Sequence, residues 1–238
     1  MPLRVLVDHI EKKVFLSPDD QYALAGIPFL ERSLKDGERL ACRDEIARQC
    51  TILLKGFLLR RKLVSTRNQI IAMHVPGDLP DLQTLHLPVL DHDIVSAGPS
   101  TVAVVSHDAL NRVLDNSPRL THLLWRETLV DAAIFREWVC NVGFRDAPTR
   151  IAHLLCELAS RFEAVGLLDD NQFQVPLTQH HVADAACLSV VHVNRTLQEL
   201  KRTGLISWEG RSVRLLRRDR LEEVGDFSSD YLHQKDDR

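Results

Sequence analysis

Residues 177–206 read LTQHHVADAACLSVVHVNRTLQELKRTGLI. The pattern predicts two short helices joined by a tight turn. Thr178 stands where it caps the first helix and Ser189 where it caps the second, because a hydroxyl at those positions accepts an orphan backbone N–H. Val182, Ala183 and Ala186 recur on one face of the first helix, and Val193, Leu197 and Leu200 on one face of the second. Gly204 follows, where a left-handed residue ends a helix at least cost. That register leaves Val190, Val191, Asn194, Arg195 and Gln198 on the outer side of the second helix. Arginine matches guanine O6/N7, asparagine and glutamine match adenine N6/N7, and valine touches a thymine methyl. The bland alternative is an ordinary helical hairpin with a wet polar face.

Two neighbouring features favour the first reading. Residues 205–218, LISWEGRSVRLLRR, alternate apolar and polar around Glu209-Gly210, which predicts a short hairpin beside the helices. Charge also concentrates here. Residues 178–220 hold eight Lys/Arg and four Asp/Glu, a balance of +4 in a chain of −3, leaving −7 elsewhere. A local basic patch on an acidic chain is an electrostatic footprint for phosphate.

The helix pair followed by a wing resembles the C-terminal domain of the Crp/Fnr family of bacterial transcription regulators, and the resemblance covers nearly the whole chain. It implies an α+β fold. An N-terminal jelly-roll (cyclic-nucleotide-binding-like) β-roll would occupy residues 1–116 and a long dimerisation helix residues 117–143. A winged helix-turn-helix would occupy residues 144–227 and a flexible tail residues 228–238. It further implies a homodimer on a palindromic operator in double-stranded DNA, with RNA polymerase as another partner. Recognition helix Val190–Thr203 would then lie in the major groove. The DNA-contacting positions carried over are Gln179, Ser189, Val190, Val191, His192, Asn194, Arg195 and Gln198, with Arg211 and Arg214 in the wing. Of these, Gln179, Arg211 and Arg214 are the phosphate candidates. The inter-helix turn, often glycine in this family, holds Cys187 here. A non-glycine residue in left-handed backbone costs on the order of 1 kcal/mol.

The remaining sequence bounds the function. With 238 residues, 45% hydrophobic and 26% charged, the chain suits two modest globular domains. No apolar run is long enough to cross a membrane, and the charged N-terminus does not resemble a signal peptide, so a cytoplasmic location is expected. Five cysteines without a C-x-x-C argue against a zinc ribbon or a disulfide framework. Some members of the family hold an iron–sulfur cluster on closely spaced N-terminal cysteines. The first cysteine here is Cys42, so that cofactor is disfavoured.

Residues 1–35 read as a helical lead-in with a start at Ser17-Pro18. Strand-like runs at Ile52–Val64, Gln69–Val75, Ile94–Ala97 and Thr101–Val105 predict the roll. Cyclic-nucleotide sensors of the family carry Gly-Glu and then Arg-Ser or Arg-Thr after a P-G-D turn. Here LPDLQTLHLPVLDHDIV, residues 79–95, puts Pro80-Asp81 at the first pair, and no Lys or Arg occurs from Asn68 to Asn111. Burying a phosphodiester without a cation is costly, and proline lacks the needed N–H. Cyclic AMP is therefore disfavoured, and no cofactor is predicted. His74, His86, Asp91, His92 and Asp93 make a poor metal set, because adjacent strand residues point to opposite faces. A polar loop, with His92 bonded to a backbone group, is the expectation.

Ser117-Pro118 opens a long helix reaching about Val142, with more apolar surface than one roll covers, followed by a hinge at Asn141–Pro148. Residues 149–165 form a further helix with Ile151, Leu154, Leu155, Leu158 and Phe162 inward. Residues 166–175 read as a polar connection, and RDRLEEVGDF as a short terminal helix. No nucleophile elbow, phosphate-binding glycine loop or carboxylate pair in context is present, so no catalysis is expected. The alternative function is a ligand- or redox-sensing module acting through protein partners, which would not need the basic cluster.

Overall fold

The computed structural model describes residues 3–12 and 14–234. Helices α1 (Arg4–Glu11) and α2 (Pro18–Ala25) precede strands β1 (Leu30–Leu34), β2 (Arg39–Ala41), β3 (Gln49–Lys55), β4 (Leu58–Val64), β5 (Arg67–His74), β6 (Asp93–Ser96) and β7 (Ser100–Ser106). Then come α3 (His107–Asn116), α4 (Pro118–Phe144), α5 (Ala147–Ala164), β8 (Gln172–Gln174), α6 (Gln179–Ala186), α7 (Val190–Arg202), β9 (Ile206–Glu209), β10 (Ser212–Leu215) and α8 (Arg218–Gly225). A single helical turn, Asp230–Leu232, follows.

The roll is two antiparallel sheets, ordered β1-β7-β3 and β2-β6-β4-β5. Alternate residues of both turn inward, so Leu34, Leu53, Leu58, Ile94 and Val102 form the core between them. The step from β3 to β4 needs Gly56: its φ is +95°, and a Cβ there would sit 2.6 Å from the Pro99 carbonyl oxygen. A second core packs α1, α2, α3 and the start of α4 on β3 and β7, through Leu6, Ile10, Leu24, Ile52, Val105 and Leu110.

The third core joins the two halves of the molecule. It runs without a break from Phe57, Ile70 and Met73 of the roll through Trp138 of α4 and Leu158 of α5 to Val182, Val193 and Val213. Phe162 of α5 stacks between Phe57, at 6.2 Å, and Phe173 of β8, at 5.2 Å. A polar clasp reinforces this contact. Arg161 of α5 bonds Asp78 at 2.5 Å and the Met73 carbonyl at 2.7 Å, both on the roll. Glu157, fully buried on the preceding turn, accepts from Trp138 Nε1 at 3.0 Å and from the Tyr231 hydroxyl at 2.8 Å.

Helix α4 buries Leu120, Leu124, Ala133 and Trp138 and exposes Trp125, Leu129, Phe135, Val139 and Phe144. Large apolar side chains in one exposed stripe mark a surface that another protein surface covers.

Several boundaries differ from the sequence reading. Strand β1 begins at Leu30, inside the stretch read as helical. Helix α4 continues through Gly143 to Phe144, because an interior glycine costs only about 1 kcal/mol. The real break is at Arg145-Asp146, where Asp146 caps α5 by accepting from Thr149 N at 3.0 Å. The connection at 166–175 contains β8, which pairs with β10 and buries Phe173.

The tail expected to be flexible is docked over residues 228–234. Leu232 is buried, Gln234 Nε2 donates to the Ser160 carbonyl at 3.2 Å, and the His233 carbonyl accepts from Arg126 at 2.9 Å. Its polar residues meet polar partners on α4 and α5, which composition cannot show. Residues 235–238 of that expectation lie outside the described residues.

Removing Arg161 strands the buried Asp78 carboxylate and takes away the cation 3.6 Å from Glu157. Arg161→Leu is expected to lower unfolding stability by about 3–5 kcal/mol, measured by urea denaturation. A loss below about 1 kcal/mol would show that the clasp contributes nothing net.

Candidate nucleic-acid interface

The helix pair forms as its caps dictate. The Thr178 hydroxyl accepts from His181 N at 3.2 Å, and His181 Nδ1 accepts from Thr178 N at 3.3 Å. The Ser189 hydroxyl accepts from His192 N at 3.2 Å. Between the helices Cys187 is left-handed, at φ 54° and ψ 44°, so the turn keeps the backbone that glycine would favour. Its sulfur accepts from Gln69 Nε2 of the roll at 2.8 Å.

Val193, Thr196, Leu197 and Leu200 bury the inner face of α7. Val191 is 81% exposed, and Asn194, Arg195 and Gln198 lie exposed along the same helix. Val190 departs from expectation: it is half-buried and packs on the third core, because it starts the helix beside Leu188. His192 is half-buried as well, while Gln179 and Ser189 are exposed at the two helix starts. Helix α7 ends at Arg202, with Thr203 as its cap rather than its last residue.

The wing is present, with β9 and β10 joined at Glu209-Gly210. Its charge is more quenched than the count implies. Arg214 is ion-paired with Asp170. Arg202 pairs with Glu199 at 2.6 Å, Arg218 with Glu163 at 2.9 Å and Arg220 with Glu223 at 2.6 Å. Lys201 donates to the Trp208 carbonyl at 2.9 Å. Arg217 likewise donates to the Gly204 and Thr203 carbonyls, so among the described residues Arg195, Lys201, Arg211 and Arg217 have no carboxylate partner. Exposed pairs of this kind contribute little, so a phosphate can displace the carboxylate from Arg214.

The Pro80-Asp81 segment is bonded within the fold. The Pro80 carbonyl accepts from Arg60 Nη2 at 2.6 Å, and the Asp81 carboxylate accepts from Thr51 N at 2.6 Å. These atoms are consumed inside the roll. A cation reaches this place from outside residues 68–111: Arg60 arrives from β4, already paired with Asp131 of α4 at 2.8 Å. His92 is bonded to the Asp91 carboxylate at 2.7 Å and not to a backbone group. Among the described residues no group of three or more His, Cys, Asp or Glu is placed to hold a metal ion. Among them also, no helix is long and apolar enough to cross a membrane. Burial raises the Cys50 thiol to about 12 and pushes the Cys156 thiol up too, which leaves both inert.

Cys187→Gly is expected to exceed Cys187→Ala in stability by about 1 kcal/mol, because only the glycine variant removes the left-handed cost. Equal thermal stabilities would contradict a strained turn. Burial raises the Asp81 carboxyl to about 6, above its ordinary value near 4. Folding then takes up a proton, so its contribution is full below pH about 4 and lost as pH rises to about 6. Asp81→Asn lacks that loss. Its stability relative to the parent is expected to improve by about 3 kcal/mol across this window, measured by denaturation at a series of pH values.

Residues 149–224 match the profile of the Crp-like helix-turn-helix domain. The transcriptional activator protein FnrL of Cereibacter sphaeroides is 29% identical over 178 residues, covering 71% of this chain and 70% of that one. The transcriptional activator protein FnrA of Stutzerimonas stutzeri is 25% identical over 202 residues, covering 84% and 82%. The solved structure of FixK2 from Bradyrhizobium japonicum superposes with a TM-score of 0.77 at 24% identity, covering 84% of this chain and 99% of that one. A capped helix pair with a wing, a long helix with an exposed apolar stripe and a roll ahead of both agree with these likenesses: residues 149–224 form a Crp-like helix-turn-helix domain, and the chain is similar to Fnr-type transcriptional activators.

Proposed function

We propose that the protein is a homodimeric, sequence-specific DNA-binding regulator that inserts α7 into the major groove. The carrying observation is the outer face of α7, where Val191, Asn194, Arg195 and Gln198 lie exposed on a helix whose opposite side is buried. Arg195 reads a guanine edge. Asn194 and Gln198 supply adenine-type donors and acceptors, and Val191 meets a thymine methyl. Val190, being half-buried, contributes less than its position in the sequence implies. Ser189 and His192 sit where the first turn of α7 approaches the backbone, and Gln179 holds a phosphate at the start of α6. Arg211 and, after exchanging its partner Asp170, Arg214 add wing contacts. The exposed stripe of α4 pairs with its copy in a second subunit. That places two α7 helices on half-sites about one DNA turn, ~34 Å, apart.

RNA polymerase is the further partner of such a regulator, which does no catalysis itself. Cyclic AMP is not its effector: Arg60 is already matched by Asp131, and the Pro80-Asp81 segment offers no free cradle for a phosphate.

Selection from a random duplex pool is expected to enrich a two-fold symmetric sequence whose affinity falls steeply with salt. Arg195→Ala is expected to cost about 1–3 kcal/mol on that site and to relax preference at one base pair. An equal loss on all sequences would make Arg195 a phosphate contact only. Calorimetric titration with cyclic AMP is expected to show no micromolar binding.

A further inference from the structure

The docked C-terminal turn is held by three polar groups in a line. Glu157 and His153, one turn apart on α5, are both buried. Tyr231 of the C-terminal turn lies between them. Its hydroxyl oxygen is 2.8 Å from Glu157 Oε2 and 3.1 Å from His153 Nε2. The Tyr231 and His153 rings stack at 5.9 Å, and Phe227 meets the His153 ring edge-on at 5.3 Å.

Donors and acceptors along this line balance only with an added proton. The Gly225 carbonyl lies 3.1 Å from His153 Nδ1, and a carbonyl only accepts, so Nδ1 carries a hydrogen. In a neutral ring Nε2 is then a bare acceptor, and an ionised Glu157 is an acceptor too. Tyr231 has one hydroxyl proton for two contacts, so at one of them lone pairs would face each other. One further proton removes the conflict. Placed on His153, it makes the bonds run from His153 to Tyr231 to Glu157. Placed on Glu157, it makes the same two bonds run the other way. Trp138 Nε1 donates to the Glu157 carboxyl in either case. Burial pushes the Glu157 carboxyl up and the His153 ring down, and both directions favour the carboxyl as the carrier.

The charged groups facing this line are Glu137 of α4, Arg145 between α4 and α5, Arg161 of α5 and Asp226 after α8. They are matched elsewhere. Arg145 bonds Glu137 at 2.6 Å and Asp226 at 3.1 Å, and Arg161 bonds Asp78 of the roll at 2.5 Å. Arg161 stands 3.6 Å from Glu157 Oε1, and Glu137 Oε1 stands 3.6 Å from His153 Nε2. We propose that docking of the C-terminal turn takes up one proton, held in common by Glu157, Tyr231 and His153, so that the turn is a latch that opens as pH rises. Undocking exposes both ends of the line to water, where neither holds the proton above pH about 6.5, the ordinary value of histidine. The latch is therefore at full strength below that pH. Above it, docking weakens about tenfold for each pH unit until the docked line itself gives up the proton. The turn also carries the bonds from Arg126 of α4 to the His233 carbonyl and from Gln234 to the Ser160 carbonyl, which part with it. An effect of this release on operator binding rests on the DNA-binding reading; the latch does not.

The test uses the full-length chain, free of DNA. Carboxyl-carbon and histidine-nitrogen NMR at neutral pH is expected to show either a protonated Glu157 or a doubly protonated His153. An ionised Glu157 beside a neutral His153 would overturn the proposal. Hydrogen exchange of the Leu232 amide, which donates to the Ser229 carbonyl at 3.0 Å, reads the opening of the turn once corrected for base catalysis in an unstructured peptide. The opening constant is expected to rise roughly tenfold per pH unit from pH about 7 to about 9. In Glu157→Gln the side-chain amide donates to Tyr231 and no added proton is needed, so the opening constant is expected to stay flat over the same range. A flat response in the parent, or equal slopes in parent and variant, would also sink the proposal. The NMR measurement needs only the parent chain, so it decides the matter if Glu157→Gln does not fold. Operator affinity over the same pH range is measured separately, so a failure of the DNA-binding reading is distinguishable from a failure of the latch.

Discussion

The buried pair between Asp78 and Arg161 fixes how the two halves of this molecule meet. Asp78 ends the P-G-D turn of the roll, and Arg161 projects from the helix that carries the DNA-binding domain. Neither charge tolerates a dry interior alone. Their match, with the Met73 carbonyl taking the second arm of the guanidinium, permits the apolar core to run on around them from sheet to helix pair. The stack of Phe57, Phe162 and Phe173 supplies area, while the ion pair supplies register: a hydrophobic contact tolerates sliding, and a two-armed guanidinium does not.

The legible parts of the chain were those decided within a few residues. Thr178 and Ser189 cap the helices they were expected to cap, and the spacing of Val193, Leu197 and Leu200 set the face of α7. Cys187 takes the left-handed turn despite its side chain, because the apolar spacing on either side leaves the backbone no other path. Local signals misled where two were in conflict. Gly143 looked like a hinge, yet the stronger start signal at Asp146-Ala147-Pro148 decided where α5 begins.

What stayed hidden depends on residues far apart in sequence. Arg60 reaches Pro80 across a sheet, Arg161 reaches Asp78, and Tyr231 reaches Glu157. No local pattern announces such partners, because an arginine on a strand or a tyrosine in a tail reads as solvated until something folds against it. Charge counting failed for the same reason. The basic excess around the wing is met by Asp170, Glu163 and Glu223, two of which lie outside the hairpin and its helices. The electrostatic identity of this face thus rests on the cations that no carboxylate meets: Arg195 and Arg211, with Lys201 and Arg217 held by backbone carbonyls.

The docked C-terminus has a mechanical consequence. The DNA-binding domain leaves α4 covalently at Arg145-Asp146, and its far end returns to α4 through the His233 carbonyl and Arg126. A body pinned to a rod at two separated points retains one easy motion, rotation about the line between the pins. Were the contacts with the roll to loosen, the domain would rock like a gate on its post, and α7 would sweep a single arc.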